Sequence, residues 1–538
     1  MPLEMPLEMG RLTCLQTLPA FSVGEGRGLR IEELGNLKNL KGQLVICNLE
    51  QVSSKEEARR ADLSRKASVF QLAFHWRRSE EDDSIKYEEV LEGLQPHPNL
   101  KCLTILFFDG YKFPSWVMKM AVRINGESSS LLPLDNLVNI KLSCCNRCEK
   151  IPMLGQLQHL RDLELSEMDN VKCIDDLFYG RNDNESSSSG GGNLTTTLFP
   201  SLKTLKLLWM GELEEWKEAA GAGVLVEVFP CLEELTISWC HKLTTAPSHF
   251  PCLKEFRIEG VHSSLPLTKI CVNLTTLTAL SIHDMSELTC LLDGLLPNNK
   301  CLEKLLISSC SMLTHIVPHV RGCDSYLRSL DINECEKLSN LPDDLHTLSS
   351  LKTLGVYSCY NLISFPDLQG LHSLSDLVIS DCYKLTCLPE GLGCLTRLNK
   401  LEIGPFSKEL NSFPSLDGIQ HLSVSLRYLT IGGWPHFDTL PEQLQHFTAL
   451  EDMLLFGFGV EALPEWFGNL SSLERLYLGS FEKLKYLPEA MRRLTKLRGL
   501  CISNSPLLKE SCIQQSGPEW SKISHIPQIH WTDISNFV

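Results

Sequence analysis

A short leucine-rich unit recurs along most of this 538-residue chain, and its period constrains the fold more than any other feature of the sequence. The unit is represented by "LSDLVISDCYKLTCLP", residues 374–389. Its first leucine recurs, mostly 23 to 25 residues apart, at Leu302, Leu327, Leu351, Leu374, Leu398, Leu426, Leu450, Leu473 and Leu497. Earlier copies, some separated by longer insertions, begin at Leu137, Leu160, Leu202, Leu232, Leu253 and Leu277. Such a period is too short for a domain and fits one repeating structural unit.

Each unit is predicted to form a short strand, a turn and a compact return. In "LVIS", residues 377–380, the first and third residues are predicted to be buried and the second and fourth exposed. Pro389 then ends the strand-forming stretch, because proline has no N–H to donate to a ladder. The return, "EGLGCLTRL", contains too much glycine for a stable α-helix, which favours 3₁₀ or irregular structure.

One unit cannot bury its own leucines, whereas stacked units share a continuous core. The sequence therefore predicts an α/β repeat fold: a leucine-rich-repeat solenoid, a curved horseshoe with a parallel β-sheet on its concave face and irregular, 3₁₀ or short helical segments on its convex face. We expect a repeat-region junction in residues 1–30, a divergent repeat segment with short helices in 31–135, the main array in 136–512, and a C-terminal cap or tail in 513–538. The Ser/Gly-rich stretch 181–193 is predicted to be a mobile surface loop.

Many of the 22 cysteines occupy the ninth position of the unit, and the residues that replace them there indicate what they do. Cysteine stands at that position in Cys145, Cys240, Cys310, Cys335, Cys359 and Cys382. Other units carry Met, Phe or, at residue 434, Trp instead, and these cannot replace a metal ligand or a nucleophile. We therefore interpret the six as structural core thiols. A disulfide ladder between neighbouring units is the alternative, and the CxxC at 145–148 leaves a metal or redox role open.

Charge and motif content narrow the class of function. The net charge of −16 argues against nucleic acid as a partner, and no apolar stretch is long enough for a membrane span. We find no secretory signal, which predicts a cytoplasmic protein. P-loop, HExxH, GxSxG and GxGxxG motifs are all missing from the sequence. The sequence thus predicts no enzyme, no catalytic residues, and no cofactor-binding or metal-binding site.

The exposed face of the predicted sheet remains as the candidate site, and its large aromatic residues are its most informative members. Counting along the units places six of them on outward strand or strand-exit positions: Trp209, Trp239, Tyr357, Tyr428, Phe456 and Tyr477. Tyr and Trp supply large contact areas at low entropic cost and are typical interface anchors. We expect a protein-binding concave face, with a purely structural aromatic row as the alternative.

Four blocks near the N-terminus carry a more specific signal than the leucines. They are "MGRLTCLQTLPAFSVGEG", "RIEELGNLKNLKGQLVICNLEQV", "EEARRADLSRKASVFQLAFHW" and "VLEGLQPHPNLKCLTILFFDGYKFPSWV". Their order resembles the repeat region of plant nucleotide-binding leucine-rich-repeat (NLR) disease-resistance proteins of the coiled-coil class, without the nucleotide-binding domain. The resemblance implies recognition of a protein partner, a pathogen effector or a host target, and restraint of a nucleotide-binding domain in cis or in trans.

Other functions stay open at this point. An extracellular leucine-rich-repeat receptor or inhibitor would share the repeat, although its units usually carry LxGxIP where this chain has LP without the glycine. A substrate adaptor for ubiquitin ligation would need an F-box-like module, which the sequence does not display. A truncated, non-functional relic of a receptor would keep its leucines and bind nothing.

Overall fold

The structure of the chain is a computed structural model. It describes residues 6, 8–24, 26, 28–78, 84–120, 133–180, 196–219, 226–291, 295–316, 326–514 and 516–532. The predicted Ser/Gly loop 181–193 therefore lies outside the described residues. The chain forms two compact units, unit 1 from Met1 to Leu277 and unit 2 from Thr278 to Val538.

The strands of unit 1 form a parallel sheet in which each sheet strand pairs with the next along the chain. The strands are β1 (Ala20–Ser22), β2 (Gly42–Cys47), β3 (Val69–His75), β4 (Cys102–Leu106), β5 (Asn139–Ser143), β6 (Asp162–Ser166), β7 (Cys173–Ile174), β8 (Thr196–Leu198), β9 (Thr204–Leu208), β10 (Glu215–Trp216), β11 (Val226–Val228), β12 (Glu234–Ser238) and β13 (Glu255–Glu259). Among the described residues, the sheet order is β1-β2-β3-β4-β5-β6-β9-β12-β13. Two small parallel pairs, β7 with β10 and β8 with β11, lie outside it.

Unit 2 repeats the same arrangement without the small pairs among its described residues. Its strands are β14 (Ala279–His283), β15 (Lys304–Ser308), β16 (Ser329–Asn333), β17 (Thr353–Tyr357), β18 (Asp376–Ser380), β19 (Lys400–Ile403), β20 (Tyr428–Gly432), β21 (Asp452–Phe456), β22 (Arg475–Gly479), β23 (Gly499–Ser503) and β24 (Gln528–Thr532). They pair in parallel in sequence order from β14 to β24. The predicted parallel sheet of a leucine-rich-repeat solenoid is thus confirmed within each unit.

The connections between strands are short helices and irregular segments, as predicted. The α-helices are α1 (Glu33–Asn36), α2 (Lys55–Arg59), α3 (Ser84–Gly93), α4 (Ser115–Met118), α5 (Leu265–Cys271), α6 (Leu295–Asn298), α7 (Pro506–Ser511) and α8 (Trp520–Ile523). The 3₁₀ turns are Met9–Arg11, Leu49–Gln51, Leu63–Arg65, Leu345–Thr347, Leu392–Cys394, Ile419–Leu422, Glu442–His446, Glu465–Asn469 and Glu489–Arg493. No helix among the described residues is both long and apolar enough to cross a bilayer.

The start of α2 follows from its sequence. Ser54 is the N-cap, and its hydroxyl accepts a hydrogen bond of 3.2 Å from the Glu57 backbone N–H. The Glu57 carboxylate reaches back to the N–H of Ser53 at 2.9 Å, one residue earlier than in a standard capping box. The bond to Ser54 satisfies one of the N–H groups that the first turn of a helix leaves without partners, and the bond from Ser53 fixes the residue before the cap.

Coil-to-coil register explains why one leucine pattern fills the whole interior. Leu354 on β17 lies beside Leu377 on β18, and all inward strand positions stack in the same way. Both outward positions of β18 depart from the predicted alternation, and Ser380 is only 8% exposed. Val378 is only 2% exposed. Its register partner is Gly355, and a Cβ at Gly355 would lie 2.4 Å from the Tyr357 ring. The Tyr357 ring therefore lies across the sheet here and leaves little open surface beside Val378.

The six ninth-position cysteines, from Cys145 to Cys382, are 0% exposed and carry free thiols. Most donate a weak hydrogen bond to the carbonyl two residues earlier, as Cys382 does to Ser380 at 3.4 Å and Cys240 to Ser238 at 3.7 Å. Ser505 makes the same bond to Ser503 at 2.9 Å. The side chain at the ninth position thus fills core volume and, in most of these coils, also donates a hydrogen bond to the carbonyl of the last strand residue. Burial raises the pKa of the Cys240 thiol to about 12, which keeps it protonated.

Trp434 differs from the other large residues at the ninth position. Its side chain is only half-buried, and its indole N–H donates to the Phe406 carbonyl at 2.9 Å. Phe437 and Phe458 are buried nearby, with ring centroids 6.3 Å apart. Phe437 therefore occupies core space in the coil where Trp434 stays at the surface.

Candidate protein-binding surface

The residue that follows each sheet strand, called the exit position here, has a positive φ in most coils. Non-glycine examples include Glu167 (φ 51°), Trp209 (φ 56°) and Trp239 (φ 58°). The N–H of each continues the ladder: Trp209 donates to Ser238 at 2.8 Å and Trp239 donates to Glu259 at 2.7 Å. This conformation costs a non-glycine residue about 1 kcal/mol, which the ladder bond and the buried neighbour offset. The backbone is therefore fixed at the exit positions, and their side chains are held on the outward face of the sheet.

Trp209 and Trp239 occupy the exit positions of two neighbouring strands, β9 and β12, and the structure brings them together. Their rings stack with centroids 5.0 Å apart and planes 11° from parallel. A Cβ added at Gly260, the exit residue of the next coil, would lie 2.6 Å from the Trp239 ring. Trp239 is thus covered on both faces, whereas Trp209 remains 52% exposed. Aromatic pairs of this kind contribute about 1 kcal/mol beyond the area that they bury.

A shallow groove of about 470 Å³ lies beside the two indoles. We call it the tryptophan groove, and it is lined by Glu167, Asp169, Trp209, Gly211, Trp239 and His241. These residues form two rows across the neighbouring strands β6, β9 and β12. The exit row is Glu167, Trp209 and Trp239, and two residues further along each coil lies the second row of Asp169, Gly211 and His241.

The groove has a negative potential at one end. Loss of hydration raises the pKa of the Asp169 carboxyl, and the neighbouring carboxylates of Glu167 and Glu212 raise it further, while Arg78 acts in the opposite direction. Lys242 neutralises little of the negative charge in the groove, because its ammonium is already paired with Glu212 and lies 2.7 Å from both carboxylate oxygens. Asp169 has no salt-bridge partner among the described residues.

A second exposed cluster lies on the sheet face of unit 2, and we call it the tyrosine–arginine patch: Tyr428, Asp452, Arg475 and Tyr477. Tyr428, Asp452 and Arg475 are register neighbours on β20, β21 and β22. The Arg475 guanidinium donates two hydrogen bonds to the Asp452 carboxylate, one from Nε to Oδ1 at 2.6 Å and one from Nη2 to Oδ2. Those bonds raise the pKa of Arg475, to which Tyr477 and Tyr428 add smaller contributions. Tyr428 is 38% exposed and Tyr477 39% exposed.

The other two predicted aromatic residues, Tyr357 and Phe456, occupy the last positions of their strands and are half-buried. Phe456 lies over the glycine in its register partner position, since a Cβ at Gly432 would be 2.5 Å from the ring. Tyr357 lies over Gly355 of its own strand. Within unit 2 the structure thus groups Tyr428, Phe456 and Tyr477 on three successive strands and leaves Tyr357 on β17 apart from them.

Sequence reasoning missed an aromatic ladder just beyond the exit positions of unit 2. The rings of Tyr360 and Tyr383 stack with centroids 5.3 Å apart and planes 11° from parallel. The Tyr383 hydroxyl donates to Asp381 at 2.9 Å, and the Trp434 ring lies 5.7 Å from that of Tyr383. Both tyrosines follow a ninth-position cysteine, in "SCYNL" and "DCYKL", and this repeated dipeptide was the available signal.

These surfaces have the chemistry of a protein-binding site, because they hold stacked rings, paired charges and carboxylates. Among the residues that the structure describes, no group of three or more His, Cys, Asp or Glu side chains is placed to hold a metal ion. The CxxC thiols illustrate this, because Cys148 is buried and donates its S–H to the Gly110 carbonyl at 3.2 Å.

Comparison with known proteins finds a family match in part of the chain. Residues 31–168 match the family described as R13L1/DRL21 leucine-rich repeats. The chain is 34% identical to the putative disease resistance protein RGA4 of Solanum bulbocastanum, over 52% of this chain and 25% of that protein. It is 31% identical to the putative disease resistance RPP13-like protein 1 of Arabidopsis thaliana, over 60% of this chain and 30% of that protein. The match thus spans less than a third of the length of these curated relatives.

Two solved structures share the fold of this chain. The crystal structure of a TLR13–ssRNA13 complex has a TM-score of 0.56 at 17% identity, covering 93% of this chain and 65% of that chain. The Toll–Spatzle complex of Drosophila has a TM-score of 0.58 at 13% identity, covering 93% of this chain and 61% of that chain. Identities this low support a shared fold and nothing further.

The predicted resemblance to plant disease-resistance proteins is confirmed by the sequence matches. The chain is a leucine-rich-repeat solenoid whose residues 31–168 match the R13L1/DRL21 leucine-rich repeats and whose sequence is similar to that of plant disease resistance proteins.

Proposed function

We propose that this chain is a non-enzymatic protein-recognition solenoid of plant innate immunity that acts in the cytoplasm. Its partner is a pathogen effector or a host protein that an effector targets. One observation carries the proposal: exposed Trp and Tyr side chains are held on rigid strand and exit positions in both units, at Trp209, Tyr428 and Tyr477. Such residues dominate the binding energy of protein interfaces when they are presented rigidly.

The biological setting rests on the relatives, which carry the name of disease resistance proteins. The resemblance of residues 9–117 adds a second part to the proposal, namely that the repeats also restrain a nucleotide-binding switch domain, in cis or in trans. The chain aligns with less than a third of the length of these relatives. Both parts are therefore proposals about the assembled receptor.

The test is proximity labelling by the full chain in leaf tissue challenged with a pathogen, where labelled proteins are compared between variants. The test variant is Trp209→Ala/Tyr428→Ala/Tyr477→Ala. The matched control is Ile363→Ala/Val424→Ala/Tyr486→Ala, which removes three exposed apolar side chains that lie outside the strands and the exit positions.

We expect some proteins to be labelled strongly by the wild-type chain and by the control variant. The test variant should label the same proteins at least tenfold less. Truncating two or three interface anchors commonly costs that much affinity. Equal labelling by the test variant and the wild-type chain would contradict the assignment of the sheet face as the recognition surface.

A further inference from the structure

We propose that the tryptophan groove of unit 1 binds an arginine side chain of the protein partner. The inference rests on the proposed recognition function and names the partner chemistry at one site. It is carried by the shape of the groove, by the one open indole face and by the charges around it.

The shape comes from Gly211, the middle residue of the row Asp169, Gly211 and His241. A Cβ added at Gly211 would meet no atom within 4 Å, and the φ of this glycine is not in the left-handed region. Gly211 is therefore not needed for backbone conformation or packing. Its missing side chain leaves a gap between Asp169 and His241, and this gap is the open part of the groove.

The indole pair offers one free ring face. Trp239 is covered by Trp209 on one side and by the Gly260 backbone on the other. The face of Trp209 that Trp239 does not cover is turned toward the coil of Glu167, because β6 is the neighbour of β9 on that side. A planar group that stacks on Trp209 would thus lie between an indole and a carboxylate.

The charges select a cation for that place. Glu167 and Asp169 line the groove, and burial together with the Glu167 carboxylate raises the pKa of the neighbouring Cys144 thiol, which therefore adds no positive charge there. The cations nearby include Arg78, which partly stabilises the Asp169 carboxylate, and Lys242 and Lys172, which both act on Glu212, Lys242 through direct hydrogen bonds. An apolar ligand would strip water from two carboxylates without replacing it, and an anion would be repelled.

Arginine fits better than lysine for a geometric reason. Its guanidinium is planar, stacks on aromatic faces and donates in the ring plane to carboxylates at the edge. In the groove, one plane can therefore contact the Trp209 ring while its N–H groups point toward Asp169. A lysine ammonium is compact and strongly hydrated, so it would gain less from the indole.

The test is a titration of the full chain, labelled with ¹⁵N at the tryptophan indoles, with three peptide probes. Hexa-arginine is the ligand mimic, hexa-citrulline has the same shape without charge, and hexa-lysine has the charge without the plane. Trp209→Phe and Trp239→Phe assign the two indole signals. We expect hexa-arginine to shift both signals saturably, at least fivefold more tightly than hexa-lysine, and hexa-citrulline to leave them in place.

Two variants and a control locate the effect. Gly211→Leu fills the gap without removing a charge or a ring, and we expect it to weaken hexa-arginine binding at least tenfold. Asp169→Asn should weaken it about fivefold, since one charge-assisted contact is lost. Glu482→Gln removes the same charge from an exposed site in unit 2 and should change nothing.

Several results would overturn the proposal: unmoved Trp209 and Trp239 signals, equal binding of hexa-citrulline or hexa-lysine, or equal weakening by Asp169→Asn and Glu482→Gln. Normal hexa-arginine binding by Gly211→Leu would also do so. The titration needs no native partner. The groove can therefore fail here while the proximity-labelling experiment still supports recognition, and the reverse result is equally distinguishable.

Discussion

Neighbouring residues at the end of each strand face opposite sides of the sheet, and the contrast separates what folds this chain from what it recognises. Trp239 and Cys240 are adjacent in sequence, yet one stacks in the tryptophan groove and the other is fully buried. The inward row, the ninth position of the unit, holds residues of limited size and polarity such as Cys, Met and Phe. The outward row of exit positions ranges from Glu167 to Trp209, because solvent imposes no such limit. Binding chemistry can therefore change in the outward row without cost to the core.

Thiol reactivity in the native chain should differ strongly between the inward row and exposed positions. Burial raises the pKa of Cys240 to about 12, so at pH 8 only about one thiol in 10⁴ is ionised, against a sizeable fraction for an exposed cysteine. We expect Cys240 to react with a thiol reagent at least a thousandfold more slowly than the exposed Cys231. Mass spectrometry after timed labelling gives both rates. Comparable rates would mean that the inward row is open to solvent.

A large truncation in the inward row should destabilise the fold strongly. Phe481 is fully buried and stacks on Phe458 with ring centroids 6.3 Å apart. We expect Phe481→Ala to lower the free energy of unfolding by about 3–5 kcal/mol, through lost burial and the cavity that remains. Urea denaturation, with hydrogen exchange to localise the change, checks it. A loss below about 1 kcal/mol would be inconsistent with a packed inward row.

A conservative change in the same row should cost less. Cys382→Ser keeps a donor for the Ser380 carbonyl, as Ser505 does naturally for Ser503, but buries a hydroxyl in place of a thiol. We expect a loss of about 1 kcal/mol in the free energy of unfolding. Cys387→Ser, at an exposed cysteine, is the matched control and should be neutral. A loss equal to that of Phe481→Ala would show that the thiol does more than fill volume.

The outward row should tolerate truncation. Trp209 is half exposed and packs on one ring only, so we expect Trp209→Ala to change the free energy of unfolding by no more than about 0.5–1 kcal/mol. Urea denaturation beside Phe481→Ala makes the comparison direct. If both alanine variants lost the same stability, the distinction between the two rows would fail.

The smallest effect is expected from the surface charges of unit 1, and it should depend on pH. Glu233 accepts from Lys254 at 2.7 Å and from Lys203 at 2.9 Å, and these bonds lower its pKa to about 2. A carboxyl with a depressed folded-state pKa adds stability above its unfolded pKa, and that stability is lost as the pH falls toward 2. Glu233→Gln should therefore slightly lower the melting temperature at pH 7 and leave it unchanged near pH 2. An equal difference at both pH values would argue against the charge contribution.

The fold could be predicted from the sequence because the repeat is local and redundant. A period of 23 to 25 residues with inward leucines fixes strand, turn and return in each coil, and stacking follows from the need to cover them. Trp434 shows where the rule stops: its position predicts a core residue, yet Phe437 and Phe458 occupy the core there. The coil before it, from Leu398 to Leu426, is 28 residues long, and the Trp434 indole donates to the Phe406 carbonyl of that longer coil, a contact that the pattern does not encode.

The candidate site could be predicted only in part. Outward strand positions follow from alternation, which places Tyr428 and Tyr477 on the exposed face. Alternation ends at the positive-φ exit residue, so it gave no prediction for Tyr360 and Tyr383 in the turn beyond. Residues that meet across coils are also invisible in one sequence, as is the gap that Gly211 leaves beside Asp169.

Hydroxyl-radical footprinting can show whether the outward row recognises a partner while the inward row packs the core. The full chain is oxidised alone and bound to the partner that proximity labelling identifies, and the oxidation of each side chain is measured by mass spectrometry. We expect strong protection on binding at Trp209, Tyr428 or Tyr477, with no change at Ile363 and Val424, which are exposed outside the sheet. Protection at Ile363 and Val424 with unchanged oxidation of the three aromatic residues would contradict it.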